Sequence, residues 1–234
     1  MMSARAPRRA ARLSILLVIG VLAVVPMLAA CGDVSVAPAA TAVVGGGDVA
    51  TADRDLGAFT RISVGAVVKL IVGNAATAKV TIEAEPNILP LIQTSVVDGQ
   101  LVINVPPPGF TSTKGVTITA VAPAIDSVSL SGGATGIVEA DAAVFNLDIS
   151  GSSTIQAIGT VKRLTFNATS AAVAKLADLH VTDAAITMAD GASATMSVSG
   201  TLSGAMEGGA SVTLTAKPAS VSVTTSSGAS IAGG

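Results

Sequence analysis

The sequence contains no tryptophan, no tyrosine and only four phenylalanines among its 234 residues. Proteins that bind sugars or single-stranded nucleic acids commonly stack them on exposed aromatic rings. This chain offers almost no such surface. A polysaccharide could be held only weakly, by serine and threonine side chains acting together over a long surface.

Cysteine and histidine are each present once, as Cys31 and His180. One cysteine excludes an intramolecular disulfide, so a secreted domain must be held together by its own core. A zinc site usually needs several Cys and His ligands, which this composition does not favour. A Ser-His-Asp triad needs only one histidine, but no Gly-x-Ser-x-Gly turn accompanies it. We therefore predict no metal, no cofactor and no catalytic role for His180.

Charged residues make up 12% of the chain, whereas hydrophobic residues, mainly alanine and valine, make up 50%. Small and β-branched side chains fill the narrow space between strands. Together with 24 glycines, this composition indicates a turn-rich β protein. It is not the composition of a disordered chain, which combines low hydrophobicity with high net charge.

The first thirty residues have the pattern of an export signal. Four arginines precede the apolar run LSILLVIGVLAVVPM, and the motif LAAC then ends at Cys31. This resembles a bacterial lipobox, so we predict a signal peptide at residues 1–30 and acylation of Cys31. An ordinary cleaved signal or an uncleaved helix are the alternatives, although the apolar span is short for crossing a bilayer. Gly32 and Asp33 do not decide between an inner and an outer membrane.

Removing the four signal arginines leaves 9 basic and 15 acidic residues, a net charge of −6. An acidic chain is not expected to bind nucleic acid or to adhere to anionic lipid by charge. Attachment to the membrane would come from the acyl chains, with an unidentified envelope or surface component as the partner.

Residues 31–53 are rich in Gly, Ala, Thr and Pro without a sustained period and predict a flexible tether. Residues 54–234 predict one β domain. Within it, residues 54–122 contain short alternating runs such as KVTIEAE, separated by Gly, Asn-Pro or Asp-Gly turn signals. The segment PNILPLI predicts a loop or a helical turn.

Residues 123–234 repeat a small turn. The motifs begin at Ser131, Ser150, Thr169, Asp190, Gly208 and Ser227, in steps of 19, 19, 21, 18 and 19 residues. Each includes a Ser-Gly, Asp-Gly or Gly-Gly pair except TSAAV at Thr169, whose lack of glycine leaves its geometry open. The other predicted turn positions are Gly132, Gly151, Gly191, Gly209 and Gly228.

A period near 19 residues matches one coil of a β-solenoid, in which each coil pairs in parallel with the next. We predict an all-β fold, a parallel β-helix with coils of about 19 residues. The final segment SSGASIAGG supplies no polar cap, so Ser230 and Ile231 predict an edge at which another chain could pair.

The stretch LGAFTRISVGAVVKLIVGNAATAKVTIEAEPNILPLIQTSVVDGQLVINV resembles the start of the head GIN domain of auto-transporter adhesins, a bacterial domain of unknown function. The similar features are F..I.V, then V.IE...N..P.I.T.V..G.L.I, then the SG turns. The resemblance extends over about residues 55–232. It implies a right-handed parallel β-helix on a secreted or lipid-anchored protein and carries no catalytic residues.

Some β-helices cleave polysaccharides with paired carboxylates, so we considered two pairs. Glu83 and Glu85 alternate with the apolar positions of KVTIEAE, which would put them about 6.6 Å apart on one exposed face. Asp141 and Asp148 flank a turn and could meet only through coiling. Neither pair has a sequence context that would separate two pKa values. We predict no enzymatic activity.

We therefore expect a lipid-anchored adhesion or protein-interaction module outside the cytoplasm, able to self-associate at its C-terminal coil. The alternative is a periplasmic structural or sensing module. A protein that binds or cleaves polysaccharide is less favoured.

Overall fold

The computed structural model describes residues 41–234, which form a β-solenoid of about six turns with a spacing of ~19 residues. This confirms the predicted fold class. The predicted signal peptide, Cys31 and the start of the predicted tether lie outside the described residues. Within residues 41–234, no helix is long and apolar enough to cross a membrane.

In chain order the strands are β1 (Val43–Val44), β2 (Ala50–Arg54), β3 (Arg61–Gly65), β4 (Lys69–Asn74), β5 (Lys79–Ala84), β6 (Gln93–Val97), β7 (Gln100–Asn104), β8 (Phe110–Thr111), β9 (Thr117–Ala122), β10 (Ser127–Ser131), β11 (Thr135–Ile149), β12 (Thr154–Ala168), β13 (Val173–Met188), β14 (Ser193–Val198), β15 (Thr201–Met206), β16 (Ser211–Leu214), β17 (Ser220–Thr225) and β18 (Ser230–Gly233). A single turn of 3-10 helix, Leu89–Leu91, lies between β5 and β6. It is the short element expected in PNILPLI.

Each regular coil has one strand before its tight turn and one after it. Stacking these strands produces two walls, which we call the pre-turn wall and the post-turn wall. From β10 onward the pre-turn wall continues through the second halves of β11, β12 and β13 to β15 and β17, all parallel. The post-turn wall contains the first halves of β11 to β13, then β14, β16 and β18. β11, β12 and β13 pass from one wall to the other without a break.

The first coils do not follow chain order. β3 lies between β7 and β10, and β4 lies between β9 and β11. The strands of the second coil in space therefore come earlier in the sequence than those of the first coil. Between them it makes antiparallel pairs: β5 with β9, β2 with β5, and β6 with β7. Asp98 and Gly99 both have positive φ, as a two-residue β6–β7 hairpin requires.

The core consists of rows of apolar side chains that the parallel register places above one another. One row on the pre-turn wall is Ile62, Val128, Leu147, Phe166 and Ile186. All five are buried. The repeat therefore puts apolar residues in the same position of successive coils, as the alternation in the sequence predicts.

The segment expected to be a tether differs in part. β1 pairs with β8, and β2 pairs with β5, so the chain already has extended, paired structure from Val43. Asn87 donates to the carbonyl of Val44 at 2.8 Å, and its own side-chain oxygen accepts from the amide of Gly46 at 3.0 Å. The composition of residues 43–53 does not show these bonds because all the partners are distant in sequence.

Each of the six tight turns from β10 onward has two central residues with φ between 51° and 82°. Positive φ at both positions is typical of a type I′ turn and favours glycine. The central pairs are Gly132–Gly133, Gly151–Ser152, Ser170–Ala171, Asp190–Gly191, Gly208–Gly209 and Ser227–Gly228. The TSAAV motif therefore makes the same turn as the others, with Ser170 and Ala171 in a conformation that L-residues rarely adopt.

We predict that Ala171→Gly stabilises the protein by about 1 kcal/mol, because a left-handed conformation costs an alanine roughly that much. Ala171 is exposed, so no packing is lost. Gly191→Ala is the matched control: Gly191 occupies the same turn position with φ 74°, and a Cβ there would meet nothing within 4 Å. The control should lose a similar amount in urea unfolding. Two variants with the wild-type midpoint would contradict this account.

Candidate interaction surface

The outer face of the pre-turn wall is a regular array of short side chains. In register, one row is Ser127, Asn146, Thr165, Ala185, Ser203 and Ser222, and the neighbouring row is Ser129, Asp148, Asn167, Thr187, Ala205 and Thr224. Successive members of a row are ~4.8 Å apart because that is the distance between paired strands. Short side chains lose little rotamer freedom when a partner covers them. This arrangement suits contact along an extended surface.

Several polar side chains bond the coils to each other. Asp148 accepts from the amide group of Asn167 in the next coil at 2.6 Å. Asp141 accepts from the backbone N–H of Thr160 at 3.0 Å. Asp141 and Asp148 thus bond different residues of the neighbouring coil instead of forming a catalytic pair.

Asp183 repeats the arrangement of Asp141 further along the stack. Its carboxylate accepts from the backbone N–H of Thr201 at 2.9 Å. Both carboxylates lie where the chain passes from the post-turn wall to the pre-turn wall. Asp183 was not predicted as a site residue. The only signal was its position in the repeat, which becomes visible once the strands are aligned.

A hollow of ≈ 480 Å³ lies along this corner. It is lined by Ala143, Val144, Lys162, Arg163, Thr182 and Asp183. Both charge signs are present, and the hollow is open to solvent. It can take part in a contact surface, but it lacks the enclosed shape of a small-molecule site.

Glu85 does not lie on an exposed face, and the pairing with Glu83 expected from alternation is wrong. The strand ends at Ala84, and the next residue after Glu85 is a proline, so the period of two no longer holds. Glu85 is fully buried, whereas Glu83 is exposed. The two side chains therefore differ completely in environment.

The carboxylate of Glu85 connects the end of β5 to residues 112–114 in the loop of the first coil. It accepts from the hydroxyl of Ser112 at 2.6 Å, from the backbone N–H of Thr113 at 2.8 Å and from that of Lys114 at 3.1 Å. The hydrogen bond from Ser112, followed by those from backbone N–H groups, lowers the pKa of Glu85 to about 2. Gly45 packs so closely that a Cβ there would lie 2.5 Å from this carboxylate.

His180 is exposed on β13, in register with Thr160 of one coil and Ser197 of the next. No carboxylate is hydrogen-bonded to it in the described part of the chain. Residues 41–234 contain no group of three His, Cys, Asp or Glu side chains placed to hold a metal ion.

The two ends of the stack differ. At the first coil, antiparallel strands cover the core, and β2 carries charges: Asp53 forms a salt bridge with Lys79 at 3.0 Å and accepts from the Thr81 hydroxyl at 2.7 Å. At the last coil, the described residues place no strand on the outer side of β17 or β18. The predicted edge residues Ser230 and Ile231 lie on β18.

We predict that Glu85→Gln lowers the unfolding temperature at neutral pH, because an amide cannot accept all the hydrogen bonds of the carboxylate. The folded-state pKa is depressed, so the contribution of Glu85 is complete above its ordinary value of 4.5 and is lost as pH falls towards 2. The difference between wild type and variant should therefore shrink over that interval.

Glu83→Gln is the matched control, since it removes the same charge from an exposed site two residues away. It should leave the unfolding temperature nearly unchanged at every pH. A constant difference between wild type and Glu85→Gln across the interval would show that the carboxylate is not the stabilising form.

The solved structures with similar folds include two putative adhesins. A crystal structure described as a putative adhesin from Bacteroides fragilis has a TM-score of 0.70 and 15% sequence identity, covering 82% of this chain and 99% of that one. Another, a putative adhesin from Parabacteroides merdae, has a TM-score of 0.54 and 14% identity, covering 83% and 100%. At such low identity they establish the fold alone. Among curated proteins, none matches this sequence.

The sequence family described as "Putative auto-transporter adhesin, head GIN domain" matches residues 58–218. The match runs from the residue before Phe59 to the approach to β17. It covers the first coils and all of the regular turns except the last, and it agrees with the resemblance noted in the sequence. The chain belongs to this family of head GIN domains.

Proposed function

We propose that this protein is a lipid-anchored, non-enzymatic module of the bacterial cell envelope that works in adhesion or protein interaction. The names of the family and of its structural neighbours favour an extracellular or cell-envelope protein with an adhesive role. The observation that carries the proposal is the outer face of the pre-turn wall. It is a rigid, extended array of short polar side chains without an enclosed pocket.

The proposed mechanism is contact over many coils at once. Each serine, threonine or asparagine contributes little, but a partner that extends along the stack meets the same side chains every ~4.8 Å. Because the parallel hydrogen bonds fix the wall, the array is already in its binding geometry. Little ordering entropy is then lost when a partner docks.

The carboxylates support a structural role over a catalytic one. A general acid at neutral pH needs a raised pKa, whereas the pKa of Glu85 is lowered to about 2. Its two oxygens are occupied by Ser112, Thr113 and Lys114. Asp141 and Asp148 are each hydrogen-bonded to the next coil.

The route of the N-terminal segment supports an anchor at the first-coil end of the stack. Val43 donates from its backbone to the carbonyl of Gly109 at 3.1 Å, and Gly45 to that of Thr111 at 2.8 Å. These bonds fix the segment to the loop of the first coil. Acyl chains on Cys31 would thus attach the protein through the end of the stack that carries β1.

We expect Cys31→Ser to move the protein from the membrane fraction to the soluble fraction, because the serine hydroxyl does not replace the thiol that is acylated. Immunoblotting of fractionated cells measures this. Ala30→Ser changes a neighbouring residue and keeps the thiol, so it serves as the control for export. Membrane retention of Cys31→Ser would mean that another element anchors the chain.

Protease treatment of intact cells, followed by immunoblotting for the domain, separates the proposal from a periplasmic structural or sensing role. Digestion on unbroken cells is the result expected for an adhesion module. Full protection that is lost only after lysis would overturn adhesion and favour the periplasmic alternative.

A further inference from the structure

Within residues 41–234, no strand covers the core at the last coil. The inward rows end at Val221 and Val223 on β17 and at Ile231 on β18, in register with Leu202, Gly204 and Val212 of the preceding coil. Val221 is 52% exposed, and Val223 and Ile231 are only partly buried. The preceding coil is buried at Leu202 and Val212 because the last coil covers it.

The last coil also presents backbone groups in the spacing of the next coil. From the second turn of the repeat onward, each turn donates an N–H to a carbonyl of the following turn: Ser152 to Ser170, Ala171 to Asp190, Gly191 to Gly208 and Gly209 to Ser227, at 2.8–3.0 Å. Gly228 is the next residue in this series. Within residues 41–234, no following turn accepts from it.

This edge lacks the charges that usually protect edge strands. From Pro218 to Gly234 the sequence contains no Lys, Arg, Asp or Glu. Folded proteins normally keep exposed edges from pairing by placing charges, prolines or bulges on them. β2, at the opposite end, has such charges in Asp53 and Arg54.

We propose that the last coils of two copies of this chain pair edge to edge. A two-fold axis normal to the walls sets β17 antiparallel to β17 of the second copy, and β18 antiparallel to its counterpart. The apolar rows ending at Val223 and Ile231 then face each other and become buried. A second copy fits better than a charged partner because the edge is uncharged and has the spacing of the chain's own coils.

The pairing closes on itself. A two-fold contact uses the same surface on both copies, so it leaves no second copy of that surface free. The opposite end of the stack is covered by antiparallel strands. Pairs are expected, therefore, and not fibrils.

The pairing specifies how two membranes would be held next to each other. This part of the inference rests on the proposed function. The N-terminal segment joins the first coil, at the end opposite the paired edges. A stack of nine strands in the pre-turn wall is about 40 Å long at ~4.8 Å per strand. Two copies joined at their last coils would hold two anchoring membranes apart by on the order of 80 Å plus the tethers.

The test uses the full-length acylated protein, purified from membranes and reconstituted into two vesicle populations with different fluorescent lipids. We expect tethering, read as energy transfer between the dyes, only when both populations carry the protein. Ile231→Lys should reduce it by at least about tenfold, since a two-fold contact brings two lysines together and desolvates them. Val221→Lys, on the other edge strand, should do the same.

Ile137→Lys is the matched control. Ile137 is 37% exposed on the post-turn wall, in register with Gln156 of the following coil, so the substitution adds the same charge outside the proposed contact surface and away from the edge. Tethering should persist. Circular dichroism and the unfolding midpoint report whether each variant is folded.

Tethering to protein-free vesicles, or tethering that survives both edge substitutions, would overturn the proposal. The lipid anchor is tested separately by attaching the chain from residue 32 through an N-terminal His tag to nickel-chelating lipid. Edge-dependent tethering in this format, together with no acylation of Cys31 in cells, would contradict the proposed lipid anchor and support the proposed pairing. Absence of tethering in both formats would contradict the proposed pairing and leave the proposed lipid anchor unaffected.

Discussion

Parallel backbone hydrogen bonding between successive coils is the constraint on which the rest of this structure depends. After each turn, the first residue of the post-turn strand donates to the coil before it: Thr154 to Ala134, Val173 to Ser153, Ser193 to Ala172, Ser211 to Ala192 and Ser230 to Ala210, each at 2.9 Å. A parallel register fixed at this point places apolar residues above apolar residues through the whole stack. The six turns from β10 onward accordingly close in the same conformation.

Close stacking explains some of the sequence's glycines directly. A Cβ on Gly204 would lie 1.9 Å from the carbonyl oxygen of Ile186 in the preceding coil, far closer than any real contact. Such positions do not tolerate a side chain. Gly191, Gly209 and Gly228 in the turns are different, since a Cβ there would meet nothing within 4 Å and backbone conformation alone favours glycine. Glycine therefore has two separate functions in one repeat.

The ends of the stack determine what the repeat can do. Glu85 and the antiparallel strands complete the first coil and fix the entry of the N-terminal segment. The last coil has neither a carboxylate of this kind nor an antiparallel cover among the described residues. The two ends of the stack therefore differ in structure, and the proposals of attachment at the first coil and of pairing at the last coil both rest on that difference.

The sequence predicts the repeating part of the fold well, because a period near 19 and paired apolar residues are local signals. It predicts the first coils less well. The order of β3, β4, β7 and β9 depends on pairings between distant residues, and no local pattern indicates that a later segment precedes an earlier one in space. The alternation of polar and apolar residues predicts an exposed Glu85, because the pattern does not show that β5 ends at Ala84. The TSAAV turn shows the reverse case, in which neighbouring coils impose a conformation that its own residues do not favour.

Hydrogen exchange, followed by mass spectrometry at low and at high protein concentration, tests most directly whether the last coil is an open edge completed by another copy. Peptides that cover β17 and β18 should exchange rapidly in dilute protein and slowly at high concentration, while peptides from β12 remain protected throughout. Equal exchange of β17 and β18 at both concentrations would contradict the account.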